Sequence, residues 1–112
     1  MYSIDMQQAQ QTSFEIQETI LDQLKATKVN GFPFFAYTGI EHFVMAGENE
    51  LKLDMPKNPN KLSHVWINYN YGTDAYDLTF CRNNNNMDQA LNLKEIYCDQ
   101  LGEVIVNAMG VN

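Results

Sequence analysis

The chain contains few residues whose types could support catalysis or metal binding, and their spacing keeps them apart. The two histidines, His42 and His64, and the two cysteines, Cys81 and Cys98, are the first residues to consider as bases, nucleophiles or metal ligands. Neither histidine belongs to an HxH or HExxH arrangement, and neither cysteine belongs to a CxxC pair. We therefore expect no metal site, and we expect both cysteines to be reduced and without a functional role.

Two carboxylates, Asp74 and Asp77, flank Tyr76 and are the remaining candidates for acid–base chemistry. A carboxylate pair works in this way when its surroundings separate the two pKa values, and nothing in the sequence indicates such a separation. Asp74 follows Gly72 and is better explained as a turn residue. The sequence therefore predicts a protein that is not an enzyme and that requires no cofactor.

Aromatic residues could serve in the recognition of a partner instead of in catalysis. They are most frequent in the middle of the chain, at Tyr37, Trp66, Tyr69, Tyr71 and Tyr76. Strand alternation places the last three tyrosines on the core face, where aromatic cross-strand pairs stabilise a sheet. Trp66 falls on the opposite face together with Asn68 and Asn70. Two interpretations of Trp66 remain open: contact with the core or a helix, or an exposed anchor of a binding surface formed with Asn68, Asn70 and Asp77.

The first element that must support such a surface is an N-terminal helix. Residues 1–12 are rich in Gln and either extend this helix or fray. Thr12–Glu15 resembles a capping box, and Asn30-Gly31 is expected to end the helix. Its apolar residues recur at helical spacing, at Phe14, Ile16, Ile20, Leu21 and Leu24.

Strand patterns occupy most of the remaining chain. Residues 32–46 are predicted as two short β segments separated by a turn at Thr38–Glu41, or as one strand with a bulge at Gly39. A turn at Ala46–Asn49 precedes a half-buried strand with Leu51, Leu53 and Met55 on one face. Pro56–Lys61 is then a loop, because its two prolines cannot pair inside a sheet.

The strongest strand signal is a hairpin. Residues 64–71 alternate, with Val65 and Ile67 on the core face, and residues 76–81 alternate again after a turn at Gly72–Asp74. Four asparagines, Asn83–Asn86, form a polar loop to which we assign no function. A short strand around Leu91 and a final helix follow. We expect residues 92–95 to cap this helix, Gly110 to end it, and its apolar face to contain Ile96, Tyr97, Leu101, Val104, Ile105 and Ala108.

Together these patterns predict one α+β domain over residues 1–112. Its antiparallel meander sheet has four or five strands, and the N-terminal and C-terminal helices pack on one face of it. The predicted core consists of Ile20, Leu21, Leu24, Leu53, Val65, Ile67, Leu78, Phe80, Leu101, Val104 and Ile105.

The charge of the chain limits its possible partners. The net charge is −7 over 112 residues, and lysines reverse the sign locally at residues 51–61, through Lys52, Lys57 and Lys61. Binding to duplex DNA requires several basic contacts with phosphates, which the surrounding acidic field opposes. There is no apolar run long enough to span a membrane and no signal-peptide pattern. We expect a protein of a reducing cytoplasm.

Several short motifs resemble a family of small uncharacterised proteins of bacteriophages and other bacterial mobile elements. The resemblance covers roughly residues 34–105 and departs from the family at Cys98, in the asparagine run and in the long N-terminal extension. It implies an α+β fold and a phage or prophage setting in a bacterial host cell, and it implies no activity. The motifs are Thr38–Phe43, Leu51–Leu53, Pro56–Pro59, Val65–Tyr69, Asp74–Phe80 and Tyr97–Leu101.

The function that these observations favour is that of a non-enzymatic accessory protein that binds a macromolecule, and a protein partner is favoured over nucleic acid. One alternative is an acidic mimic of nucleic acid that inhibits a host defence nuclease, which the net charge and the phage setting would suit. A second alternative is a small-molecule enzyme, for which the sequence provides no positive sign.

Overall fold

The helical stripe near the N-terminus forms the first helix of the structure. The computed structural model describes residues 15–111, and helix α1 occupies residues 15–26 of that range. Ile20, Leu21 and Leu24 are buried along one side of α1, as the stripe predicted. The predicted cap at Thr12 and the extension at residues 1–12 lie outside the described residues.

Asn30 and Gly31 do not end this helix, contrary to the prediction. Helix α1 stops at residue 26, and Asn30-Gly31 is the turn of a small hairpin between β1 (Lys28–Val29) and β2 (Phe32–Pro33). Both turn residues have positive φ, 51° and 84°. A two-residue hairpin turn of type I′ requires positive φ at both positions, and the Asn-Gly pair is especially suited to it.

The aromatic segment after the hairpin is helical, whereas the sequence predicted extended structure there. Phe34–Thr38 forms α2, which ends at Gly39 in the left-handed conformation. Phe34 is completely buried in the core, and the Thr38 hydroxyl donates to its carbonyl oxygen at 3.0 Å. Strand preference of aromatic residues depends on context, and here burial of Phe34 among the helices outweighs it. The turn predicted at Thr38–Glu41 therefore connects α2 to the sheet.

The main sheet of the described chain has five antiparallel strands in the order of the sequence, each paired with the next. This α+β meander confirms the predicted fold class. The strands are β3 (His42–Ala46), β4 (Glu50–Asp54), β5 (Leu62–Asn70), β6 (Ala75–Arg82) and β7 (Gln89–Ile96).

Strand β7 is longer than predicted, and the last helix is shorter. Residues 92–95, predicted to cap that helix, belong to β7, in which Asn92 pairs with Thr79 and Ile96 pairs with Tyr76. Helix α3 begins only at Leu101 and ends at Met109. The sheet register explains the difference, because pairing with β6 gives residues 89–96 backbone partners that an isolated helical turn would lack.

The core lies between the inner face of the sheet and the helices. Every residue predicted for the core except Val104 belongs to this cluster, and Val104 is partly buried and packs against it. Buried side chains from α1, α2 and α3 meet the inward-facing residues of β4, β5 and β6 there. The opposite face of the sheet has no helix of residues 15–111 packed on it, and it is called the outer face below.

Candidate functional site

The outer face presents one continuous row of side chains across all five strands. Residues that pair directly in an antiparallel sheet lie on the same face, so the register defines this row. It contains Val44, Lys52, Trp66, Thr79 and Asn92, one from each strand. Trp66 lies at its centre, on the face that alternation predicted.

The indole of Trp66 is held in place by its neighbours. Its Nε1 donates a hydrogen bond of 3.0 Å to Oδ1 of Asn86. The ammonium of Lys52 lies 5.9 Å from the ring centroid, and the His64 ring meets the indole edge-on at 6.3 Å. Trp66 is consequently half-buried although no helix of the described residues covers it. A rigid, partly exposed aromatic ring of this kind can anchor a partner at a low cost in conformational entropy.

The partner of the indole comes from the asparagine run, in which sequence reasoning saw only a polar loop. Oδ1 of Asn86 also lies 2.7 Å from Nε2 of His64, a buried residue of β5. The backbone N–H of Asn84 donates to the hydroxyl of Ser63 at 3.0 Å. The loop is thus attached to β5 at several points. Turn propensity predicts a loop here, but nothing local in the sequence indicates that it folds back onto the sheet.

The other predicted site residues lie beside Trp66 on the outer face, and several already have partners. Asn68 accepts a hydrogen bond from Asn49 at 3.1 Å. Asn70 donates to the carboxylate of Asp77 at 3.3 Å and accepts from the backbone of the hairpin turn. The other oxygen of Asp77 accepts from the backbone N–H of Glu95. Asn70 and Asp77 therefore stabilise the end of the β5–β6 hairpin, and Trp66 and Asn68 are closer to the middle of the face.

One acidic side chain, Glu50, lies beside the indole, while Lys52 lies over the ring. A shallow depression of about 240 Å³ beside Trp66 is lined also by Glu50, Thr79, Asn86 and Gln89. Within residues 15–111 the single ion pair joins Lys52 to Asp54 at 3.4 Å. Glu50 therefore has no basic partner in the described chain. The depression offers carboxylate and amide oxygens beside an aromatic ring, a combination that suits basic side chains.

His64 and Cys81 are neighbours in the sheet but do not form a base–nucleophile pair. His64 pairs across the sheet with Cys81, but its ring nitrogens face Ser63 and Asn86 instead. Burial raises the pKa of the Cys81 thiol, and the nearby Asp88 adds to this effect. The thiol of Cys81 therefore stays protonated and inert at neutral pH.

No group of three or more His, Cys, Asp or Glu side chains within residues 15–111 is arranged to hold a metal ion. Comparison of the chain with protein-family models, with curated proteins and with solved structures finds no match.

Proposed function

We propose that this protein acts by binding a partner protein through the outer face of its sheet, with Trp66 as the anchor. The observation that carries the proposal is the fixed indole at the centre of a face that no described helix covers. Large aromatic residues in rigid positions supply much of the binding energy of protein interfaces. An antiparallel sheet with one wet face is stable alone, so this face is available for a partner.

The charge of the face favours a partner with basic side chains. Glu50 borders the depression beside Trp66, and Asp77 lies on the same face of the sheet. The whole chain has a net charge of −7, so it attracts a basic surface at long range and repels a phosphate backbone. Arginine suits the site best, since its planar guanidinium can stack on an indole and can pair with a carboxylate.

An accessory role in the cytoplasm of a bacterial host accords with the resemblance to small phage and mobile-element proteins. In this role the protein would modify the action of its partner by occupying a surface, and it would carry out no chemical step itself. None of the helices within residues 15–111 is long and apolar enough to cross a bilayer.

The test is capture of a partner from bacterial lysate by three immobilised forms of the protein: the parent, Trp66→Ala and Phe32→Ala. Phe32 is 60% exposed on the β1–β2 hairpin, which lies outside the main sheet, so Phe32→Ala is the matched control for loss of an exposed aromatic ring. We expect one protein to bind the parent and the control and to be lost from Trp66→Ala. Its reconstituted binding should weaken at high salt, because the Debye length is about 8 Å at physiological ionic strength and shorter above it.

Two results would contradict the proposal. The first is equal retention of every captured protein by Trp66→Ala and by the parent, with Trp66→Ala shown to be folded by circular dichroism. The second is capture of a nuclease whose binding to this protein is abolished by Trp66→Ala and is competed by DNA. That outcome would favour mimicry of nucleic acid over an ordinary protein interface.

A further inference from the structure

A second recessed surface lies on the other side of the sheet, at the end of the β5–β6 hairpin. Here the described N-terminal part of α1 faces three tyrosines, and the cleft between them has a volume of about 370 Å³. This tyrosine cleft is separate from the outer face, and binding there is independent of the proposed function. Its lining includes Glu15, Gln23, Tyr69, Tyr71, Asp74 and Tyr76.

The three aromatic rings form a connected group with different orientations. The ring centroids of Tyr69 and Tyr71 are 4.9 Å apart at an interplanar angle of 78°, and those of Tyr69 and Tyr76 are 5.8 Å apart at 61°. Tyr76 is buried, whereas Tyr71 is 64% exposed. The cleft thus offers ring surfaces that range from a closed inner end to an open rim.

Hydrogen bonds fix two of these rings. The hydroxyl of Tyr76 donates to Oε1 of Gln23 at 3.0 Å, and the hydroxyl of Tyr69 donates to the carboxylate of Asp74. The bond to Asp74 raises the pKa of Tyr69, and burial raises the pKa of Tyr76. Both phenols therefore remain neutral at physiological pH, and their ring faces keep the electron-rich character that attracts cations.

The described residues that line the cleft carry negative charge and include no basic side chain. Asp74 and Glu15 contribute carboxylates, and none of the described lining residues is basic. Neither carboxylate forms an ion pair within residues 15–111, where Lys52–Asp54 is the one such pair. In the same range, the one ammonium close to an aromatic face is Lys52 over Trp66, on the other side of the sheet.

We infer that the tyrosine cleft binds an organic cation of the alkylammonium or guanidinium class. Aromatic rings at several angles, together with carboxylates, recognise such cations through cation–π attraction and charge. The same chemistry occurs in a free quaternary ammonium compound and in the Lys or Arg side chain of a peptide, and the experiment distinguishes these two sources.

The experiment follows the tyrosine ring resonances of the full chain by NMR during titration with matched pairs of compounds. Choline is compared with 3,3-dimethyl-1-butanol, its neutral carbon isostere, and N-acetyl-arginine amide is compared with its citrulline counterpart. We expect the charged member of a pair to shift the signals of Tyr69, Tyr71 and Tyr76 in a saturable manner, and the neutral member to have little effect. A response to choline indicates a free ammonium ligand, and a response to the arginine compound indicates a peptide side chain.

Two variants test the named residues without disturbing the core. Tyr71→Ala removes an exposed ring, and Asp74→Asn removes a charge while keeping an oxygen acceptor for Tyr69 and tolerance of the positive φ of 52°. Each should weaken binding of the effective cation by roughly two- to fivefold. Trp66→Ala is the control and should leave binding unchanged. Equal responses to charged and neutral probes, no response to either cation, or unchanged affinity in both variants would overturn the inference.

Discussion

A single amide oxygen of Asn86 connects the asparagine loop to two aromatic residues of β5. It lies 3.0 Å from Nε1 of Trp66 and 2.7 Å from Nε2 of His64. Since an amide oxygen can only accept, Nε2 of His64 must carry its hydrogen in this arrangement. The buried histidine and the anchor of the outer face consequently share one hydrogen-bond acceptor in the loop.

We predict that Asn86→Ala destabilises the protein and loosens the indole of Trp66. The substitution leaves the buried Nε2–H of His64 without its acceptor, which costs about 1–3 kcal/mol. Denaturant unfolding measures this loss, and tryptophan fluorescence of the folded variant should show a more mobile indole. Met87→Ala is the control, because Met87 lies in the same loop and is 88% exposed. If the two variants had equal stability, the interaction of Asn86 with His64 would not support the fold.

Gly102→Ala should destabilise α3, although alanine is the better helix former. A Cβ at position 102 would lie 2.6 Å from Cγ2 of Thr27 and 3.4 Å from Cδ1 of Phe34. Overpacking of this kind costs about 1–3 kcal/mol, against a gain of about 1 kcal/mol in helix propensity.

Thr27→Ser provides the rescue for this variant. It removes Cγ2 and keeps the hydroxyl that donates to the carbonyl of Gln23 at 2.7 Å. The double variant should therefore be more stable than Gly102→Ala alone in thermal unfolding. A double variant no more stable than Gly102→Ala would show that the close approach of Gly102 to Thr27 is not the cause.

The stability of the protein should decline in alkaline solution, in part because of Tyr76. Burial raises its pKa above the value of about 10 expected in the unfolded chain. Below pH 10 both states hold the proton, so this contribution to stability is complete. As the pH rises towards the folded-state pKa, the unfolded chain releases the proton first, and the free energy of unfolding falls.

Tyr76→Phe tests this effect because phenylalanine cannot ionise. Its free energy of unfolding should be lower than that of the parent at neutral pH by about 1 kcal/mol, through loss of the bond to Gln23. The difference should then narrow as the pH rises above 10. A constant difference across the whole pH range would contradict the assignment to Tyr76.

The two thiols should differ strongly in reactivity. Cys98 is exposed, whereas Cys81 is fully buried and burial raises its pKa. We expect Cys98 to react with a disulfide reagent in the folded protein, and Cys81 to react only after unfolding. Cys98→Ser should abolish the fast reaction, and Cys81→Ser should leave it. Absence of a fast thiol in the reduced parent would contradict this assignment.

Signals that are local in the sequence predicted much of the fold. Alternation in residues 64–71 and 76–81 correctly indicated the central hairpin and placed Trp66 opposite Val65 and Ile67. The apolar stripe around Ile20 and the left-handed stop at Gly110 were likewise confirmed. These patterns succeed because a side chain's face within one strand or helix follows from backbone geometry alone.

Predictions failed where one local pattern is compatible with two structures. Asn30-Gly31 can end a helix or turn a hairpin, because both require positive φ. Residues 34–38 have a composition typical of strands, yet burial of Phe34 is achieved by a helix. Residues 92–96 could begin a helix, and the free edge of β6 recruits them as a strand.

By itself, the sequence determined which residues share a face of each element, because these relations span only a few residues of chain. The tertiary structure alone decided how distant faces meet. Asn86 reaches Trp66 across 20 positions, and Tyr76 reaches Gln23 across 53. Such contacts depend on how the loops close and on how α1 packs against the sheet, and no periodicity within one segment contains that information. Both candidate surfaces depend on contacts of this kind, and these contacts form only when the chain folds.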